Sequence, residues 1–196
     1  MKNRQSEIIV FAGPNGSGKS TYTNVLLPPG MVYINADEIK KNMKCTDLEA
    51  AQLAEKQRED YILQGKDFAF ETVMSTERNL ILLQKAKSQG YFIRCYYILT
   101  SKASINVSRV KARVAAGGHD VPTLKIRERY ARALGLIQAV VDVSDICHVY
   151  DNSGLNAFRF YKKRKNETYY DDTGIWSFDR INHIISLKDS SFRMLN

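Results

Sequence analysis

The first chemistry legible in this chain lies in Gly13-Pro14-Asn15-Gly16-Ser17-Gly18-Lys19-Ser20. Gly13, Gly18, Lys19 and Ser20 have the spacing G-x4-G-K-S of a phosphate-binding loop. Glycines let successive backbone N–H groups point into one concave nest without Cβ clashes. The nest and the N-terminus of a following helix together attract a phosphate chain. Lys19 is expected to reach the β- and γ-phosphates and the Ser20 hydroxyl to ligate Mg²⁺. Pro14, Asn15, Gly16, Ser17 and Thr21 complete the expected phosphate contacts. The loop reads as a nucleoside-triphosphate site, with ATP and Mg²⁺ as its expected occupants.

Further groups with chemical potential recur downstream. Asp37 follows an apolar run, Met31 to Asn35, and precedes a helical stretch. A carboxylate there can deprotonate an acceptor hydroxyl or join the Mg²⁺ shell, or simply cap the helix. Glu38 reads as a first-turn helix acid. Glu71 and Thr72 end the run Asp67 to Val73, where an acid can hold a Mg²⁺-bound water, bind a substrate hydroxyl, or serve structure alone. Lys102 to Arg132 is rich in arginine and lysine; Arg109 and Arg113, four residues apart, share a helix face. Arginine supplies planar, permanently charged donors for a transferring phosphoryl group. Arg127, Arg129 and Arg132 cannot all serve one site, and His119 lies in the connecting loop as a further phosphate contact. Asp151-Asn152 ends the last core strand, where Asn152 offers a base edge both donor and acceptor or merely shapes a turn. His148 and His183 read as structural.

These groups need a scaffold, and the chain's periodicities supply one. Ile8 to Ala12, Met31 to Asn35, Asp67 to Val73, Tyr91 to Leu99 and Asp145 to Tyr150 read as strands. Helical segments run from about Gly18 to Leu27, Glu38 to Lys44, Thr46 to Gln64, Ser75 or Thr76 to Gly90, Lys102 to Ala116, and Pro122 to Asp142. Strand–helix alternation implies a parallel sheet covered on both faces, with ligands beyond the strands' carboxyl ends. The phosphate loop, Asp37, Glu71-Thr72 and Asp151-Asn152 all fall there. Tyr91 to Leu99 ends in Thr100 rather than an acid, so the signature of a motor ATPase is missing. Beyond Ser153 the pattern changes: Phe158 to Lys163 and Glu167 to Tyr170 suggest a hairpin, and Ile175 to Leu187 a final helix. Lys162-Lys163-Arg164-Lys165 reads as a solvated turn.

The totals fit this picture. A chain of 196 residues suits a single domain with a substantial core, and a formal charge of +8 favours acidic ligands, nucleic acid among them. No apolar run approaches the ~20 residues of a membrane span, and no secretory signal is evident. Cys45, Cys95 and Cys147 show no metal-ligand spacing and read as reduced thiols in a cytoplasmic protein.

Taken together, the phosphate loop, Asn35-Ala36-Asp37-Glu38, Phe70-Glu71-Thr72, the arginine helix with Gly117-Gly118-His119-Asp120-Val121-Pro122, and Asp151-Asn152-Ser153 resemble the zeta-toxin-like P-loop kinases. Within them the chain is most similar to the branch labelled predicted ABC-type ATPase. The resemblance covers roughly residues 8–153. It implies an α/β fold, a P-loop NTPase of three layers (α/β/α) with a five-stranded parallel sheet in the order 2-3-1-4-5. On that basis residues 1–196 form one domain, with a core at about 6–153, a lid at about 102–132 and a small C-terminal appendage at about 154–196. Characterised toxins of the family phosphorylate the 3′-hydroxyl of UDP-N-acetylglucosamine with ATP and Mg²⁺. The resemblance therefore implies Asp37 as catalytic base, Lys19 and Ser20 as phosphate and metal ligands, Glu71 as a substrate-site acid, and an antitoxin as a partner. Two lid arginines are expected: the first falls at Arg109 or Arg113. The second aligns with His119, leaving its charge to His119, Arg127 or Arg129. Phe-Glu-Thr departs from the toxins' Glu-Gly-Thr, and no antitoxin segment is fused. The leading expectation is transfer of the ATP γ-phosphate to a hydroxyl of a small acceptor, a nucleotide sugar among the candidates. A kinase of nucleic-acid ends and a non-catalytic nucleotide switch are the alternatives.

Overall fold

The computed structural model describes residues 4–186 and 192–194. Its first strand, β1 (Glu7–Ala12), is buried along nearly its whole length and runs into the phosphate loop and α1 (Lys19–Leu26). The short β2 (Tyr33–Ile34) leads to α2 (Ala36–Met43) and α3 (Asp47–Leu63). Then come β3 (Phe68–Thr72), α4 (Arg78–Ser88), β4 (Phe92–Leu99), α5 (Ala103–Ala115), α6 (Thr123–Val143) and β5 (Ile146–Asp151). The expected parallel order is present: β2-β3-β1-β4-β5.

The sheet does not stop at five strands. β6 (Phe158–Arg164) pairs antiparallel with β5, β7 (Glu167–Tyr170) antiparallel with β6, and β8 (Phe192–Met194) parallel with β7. The expected hairpin forms, but it continues the main sheet because β5 would otherwise leave an open edge of unpaired backbone groups. The final helix, α7 (Phe178–Ile184), is shorter than the expected Ile175–Leu187. Ser177 caps it by accepting from the Arg180 N–H, and Leu187 lies outside the described residues.

Alternation along the strands sorts the core into two faces. Ile8, Val10, Cys95, Tyr97, Cys147 and Val149 meet α3, α4, α6 and α7, while Ile9, Phe11 and Ala69 meet Tyr22, Leu26 and Leu27 at α1. Trp176 is fully buried, stacked on Phe160 at 4.4 Å and donating its indole N–H to Asp151. That bond fixes the C-terminal segment against the end of β5.

Three local readings change. Neither Ser75 nor Thr76 caps α4; Glu77 precedes it without a side-chain cap bond. The chain leaves β3 through Met74 at φ 50°, whose N–H goes to the Thr72 hydroxyl, so the turn is used before the helix opens. Asn35, not Asp37, caps α2, accepting from the Asp37 N–H at 2.8 Å. Finally, Lys162-Lys163-Arg164-Lys165 is a solvated turn only in part: Arg164 and Lys165 are exposed where β6 turns into β7, but Lys162 and Lys163 lie within β6. Lys162 lies over the Tyr169 ring, and half-buried Lys163 donates to the Val141 and Asp142 carbonyls at the end of α6, where the helix dipole favours a cation.

Candidate active site

The phosphate loop is held from below by two asparagines far away in sequence. Asn106 on α5 donates to the Asn15 carbonyl at 2.7 Å and bonds Thr100 with its own oxygen. Asn152, after β5, donates to the Ser17 carbonyl at 2.8 Å. Both approach so closely that side chains are excluded above them. A Cβ at Gly16 would lie 2.6 Å from the Asn106 carbonyl oxygen, and one at Gly18 would lie 2.3 Å from the Asn152 amide. Both glycines also take positive φ, 77° and 96°. Local sequence thus makes the loop, and tertiary contacts set its curvature.

Within the loop the expected contacts divide. The Ser17 N–H bonds the Pro14 carbonyl and the Thr21 N–H the Gly18 carbonyl, whereas the N–H groups of Gly16, Gly18, Lys19 and Ser20 donate to no backbone carbonyl among the described residues. The Ser17 hydroxyl is buried and has no hydrogen-bond partner among the described residues. Lys19 donates to the Pro14 carbonyl at 3.1 Å. Burial pushes its ammonium down to about 8, countered by Glu71 and helped by Arg113.

Glu71, at the end of β3, is gripped by hydroxyls. It accepts from Ser20 at 3.2 Å and from Thr23 at 2.6 Å, and its charge, after burial, holds the proton on the nearby Tyr33 phenol, which accepts from the Asn35 amide at 3.1 Å. Thr23 follows Ser20 by one turn of α1 and is buried; that spacing was the available signal for it. With its proton directed at Glu71, the Ser20 hydroxyl keeps its lone pairs for a hard cation. Among the described residues no three His, Cys, Asp or Glu side chains converge on a metal site. The set fits Mg²⁺, which takes few protein ligands and is otherwise held by phosphates and water. Thr72 serves the turn, accepting from the Met74 N–H and the Asn79 amide.

A cavity of about 500 Å³ collects the candidates: Lys19, Ser20, Asp37, Glu71, Arg109 and Arg113 all line it. Asp37 is exposed on the first turn of α2, and among the described residues no ion pair holds its carboxylate. Arg109 reaches the Ser153 carbonyl at 3.4 Å, and Arg113 the His119 carbonyl at 2.8 Å. His119 does not line this cavity; it lies in an adjoining one with Asp37, Arg113 and Arg129. Arg129 donates to the Asn15 side chain at 3.3 Å, while Arg127 is exposed and lines none of these cavities. Asn152 stands beneath the loop, its amide engaged there. A further cavity of about 450 Å³ shares Arg58, Glu71, Thr72 and Val73 with the first. The sequence carries no signal for Arg58, a lone arginine on a charged helix. No helix among the described residues is long and apolar enough to cross a membrane.

Comparison with known proteins agrees with the strand–loop–helix reading. The family model described as AAA domain matches residues 8–134. An uncharacterized protein of Haemophilus influenzae is 30% identical over 131 residues, covering 64% of this chain and 94% of that protein. A protein of Acanthamoeba polyphaga mimivirus, described as a bifunctional polynucleotide phosphatase/kinase, is 49% identical over 45 residues. That match covers 22% of this chain and only 11% of the viral protein. Among solved structures, the AvrRxo1-ORF1:AvrRxo1-ORF2 complex with sulphate ions contains a chain matching at TM-score 0.72 and 13% identity. It covers 96% of this chain and 67% of its own length. The PezAT toxin–antitoxin system of Streptococcus pneumoniae matches at TM-score 0.56 and 14% identity, over 80% of this chain and 72% of its own. At these identities the structural likeness is one of fold.

Proposed function

For a chain that belongs to the AAA-domain family and has a kinase-like P-loop fold, we propose the activity of an ATP-dependent phosphotransferase acting on an alcohol group. One observation carries the reading: Lys19, Ser20, Asp37, Glu71 and two arginines line one cavity above the phosphate loop. In this reading the N–H groups of Gly16, Gly18, Lys19 and Ser20 hold the β- and γ-phosphates, and Lys19 neutralises them. Bound Mg²⁺ would be held by Ser20, and through water by Glu71, and would supply charge withdrawal from the phosphate oxygens. Asp37 takes the proton of the acceptor hydroxyl as that oxygen bonds to the γ-phosphorus. The bond from γ-phosphorus to the bridging oxygen breaks, and ADP leaves with its electron pair. Arg109 and Arg113 stabilise the charge spread over the transferring group.

The test is incubation with Mg-ATP and a panel of nucleotide sugars, nucleosides, nucleoside monophosphates and oligonucleotides, read by mass for a gain of one phosphate. The UDP-N-acetylglucosamine-like acceptor and the antitoxin partner implied by the zeta-toxin resemblance belong to this proposal, and the panel addresses the former. Asp37→Asn should bind ATP as the parent does and lose transfer by about 100-fold or more. Transfer at the parental rate would overturn the base assignment. Lys19→Ala with unchanged ATP affinity would overturn the donor site.

A second acceptor class has its own support. The 49%-identical segment shared with the viral polynucleotide phosphatase/kinase and the net charge of +8 both favour a nucleic-acid end. A product formed only on oligonucleotides would select it.

A further inference from the structure

Arg58 is an unusual arginine. It stands on α3 one turn beyond Ala54, and Ala51, Ala54, Glu55 and Arg58 present one helix face to the second cavity. Ala54 is buried and small, which leaves room above it for a long side chain. The guanidinium carbon lies 5.0 Å from the centre of the Phe70 ring, so the group is braced against β3. Its Nε is buried and has no hydrogen-bond partner among the described residues. The nearest acid on its own helix face, Glu55, gives both carboxylate oxygens to Arg78 instead. Arg58 is thus positioned with a donor to spare.

The surroundings share that character. Arg129 and Arg132, three residues apart on α6, line the same cavity. So do Ser75, Thr76 and Asn79 at the start of α4, whose N-terminus has neither a side-chain cap bond nor an acid in its first turn. Those orphan N–H groups carry the positive end of the helix dipole. The cavity meets the phosphate-loop cavity along Arg58, Glu71, Thr72 and Val73. A molecule held there would have its near end beside the ATP γ-phosphate.

We infer that this second cavity is the acceptor site and that it takes an acceptor already carrying a phosphate group, which Arg58 and the open N-terminus of α4 hold. The inference rests on the kinase reading above and narrows its acceptor to phosphate esters. A carboxylate offers one planar face and is satisfied by a single guanidinium fork. A phosphate presents oxygens in several directions and suits guanidinium groups arriving from α3 and α6 together with helix N–H groups.

The experiment uses the full chain with its phosphate loop saturated by a Mg²⁺ complex of a non-hydrolysable ATP analogue. Inorganic phosphate is then titrated and followed by ³¹P line broadening. The expected result is saturable phosphate binding that weakens by about tenfold in Arg58→Gln, the loss of one charge-assisted bond. Arg58→Lys keeps the charge without the fork and should fall between the two, with thermal melting confirming that both variants fold. Analogue binding without any phosphate binding would overturn this inference and leave the donor site standing. Failure of the analogue itself to bind would overturn the kinase reading, and this inference with it. Loss of analogue affinity in Arg58→Gln as large as the loss of phosphate affinity would assign Arg58 to the donor, also overturning the inference.

Discussion

The Asn152 amide donates to the Ser17 carbonyl at 2.8 Å, tying the end of β5 to the underside of the phosphate loop. Across that bond, a Cβ on Gly18 would meet the same amide at 2.3 Å. The bond therefore shapes the nest, and its loss should be felt by the phosphates rather than by the base. Asn152→Ala is expected to lower ATP and GTP affinity by the same factor and to cost about 1–2 kcal/mol of stability. Paired nucleotide titrations and urea unfolding check both. A loss confined to ATP would instead make Asn152 an adenine contact.

Glu71 is oriented by the Ser20 and Thr23 hydroxyls, so its position depends on Thr23, a buried residue that does not line the cavity. Thr23→Val preserves shape while removing the 2.6 Å bond. It should reduce transfer by about tenfold and raise the Mg²⁺ concentration needed for half-maximal rate. Glu71→Gln should reduce transfer further, with metal-free ATP binding unchanged. Initial rates across a Mg²⁺ series decide the point. An unchanged Mg²⁺ dependence in both variants would remove Glu71 from the metal shell.

Arg127 and Arg129 are two residues apart but lie on different sides of α6. Ile126, Tyr130, Ala133 and Ile137 form its buried stripe, and Arg129 flanks the stripe where it passes the phosphate loop. Arg129→Ala should cost about tenfold or more in transfer, and Arg127→Ala should leave it within twofold. Equal losses in both variants would mean that the helix supplies only a diffuse positive field.

His148 is half-buried on β5, stacked on Tyr96 at 5.4 Å. Burial, followed by the charges of Arg159, Lys162 and Arg94, pushes its imidazole down to about 4. The folded chain keeps it neutral where the unfolded chain, with an ordinary value near 6.5, already binds a proton. Between those values the unfolded state binds more protons, so stability rises with pH and is lost as pH falls from about 6.5 towards 4. Partial solvent screening keeps the effect to about 1–2 kcal/mol. His148→Gln should flatten the melting-temperature profile across that window. Parallel profiles for parent and variant would show that other groups control the acid limb.

The sequence by itself determined the phosphate loop and its strand–loop–helix setting. Gly13 to Ser20 is contiguous, its strand and helix flank it directly, and the carboxyl-end rule for parallel sheets brings Asp37 and Glu71 to the same side. None of that requires knowing a distant contact. Tertiary structure decided what depends on approach between remote segments: the asparagines under the loop, the hydroxyls on Glu71, and the continuation of the sheet through β6 and β7. It also decided helix phase. A step of about 100° per residue separates Arg129 at the cavity from Arg127 outside it. Arg58 shows the same limit from the other side, since a charged residue on a charged helix acquires meaning only when packing braces it on Phe70 and the neighbouring acid, Glu55, pairs with Arg78.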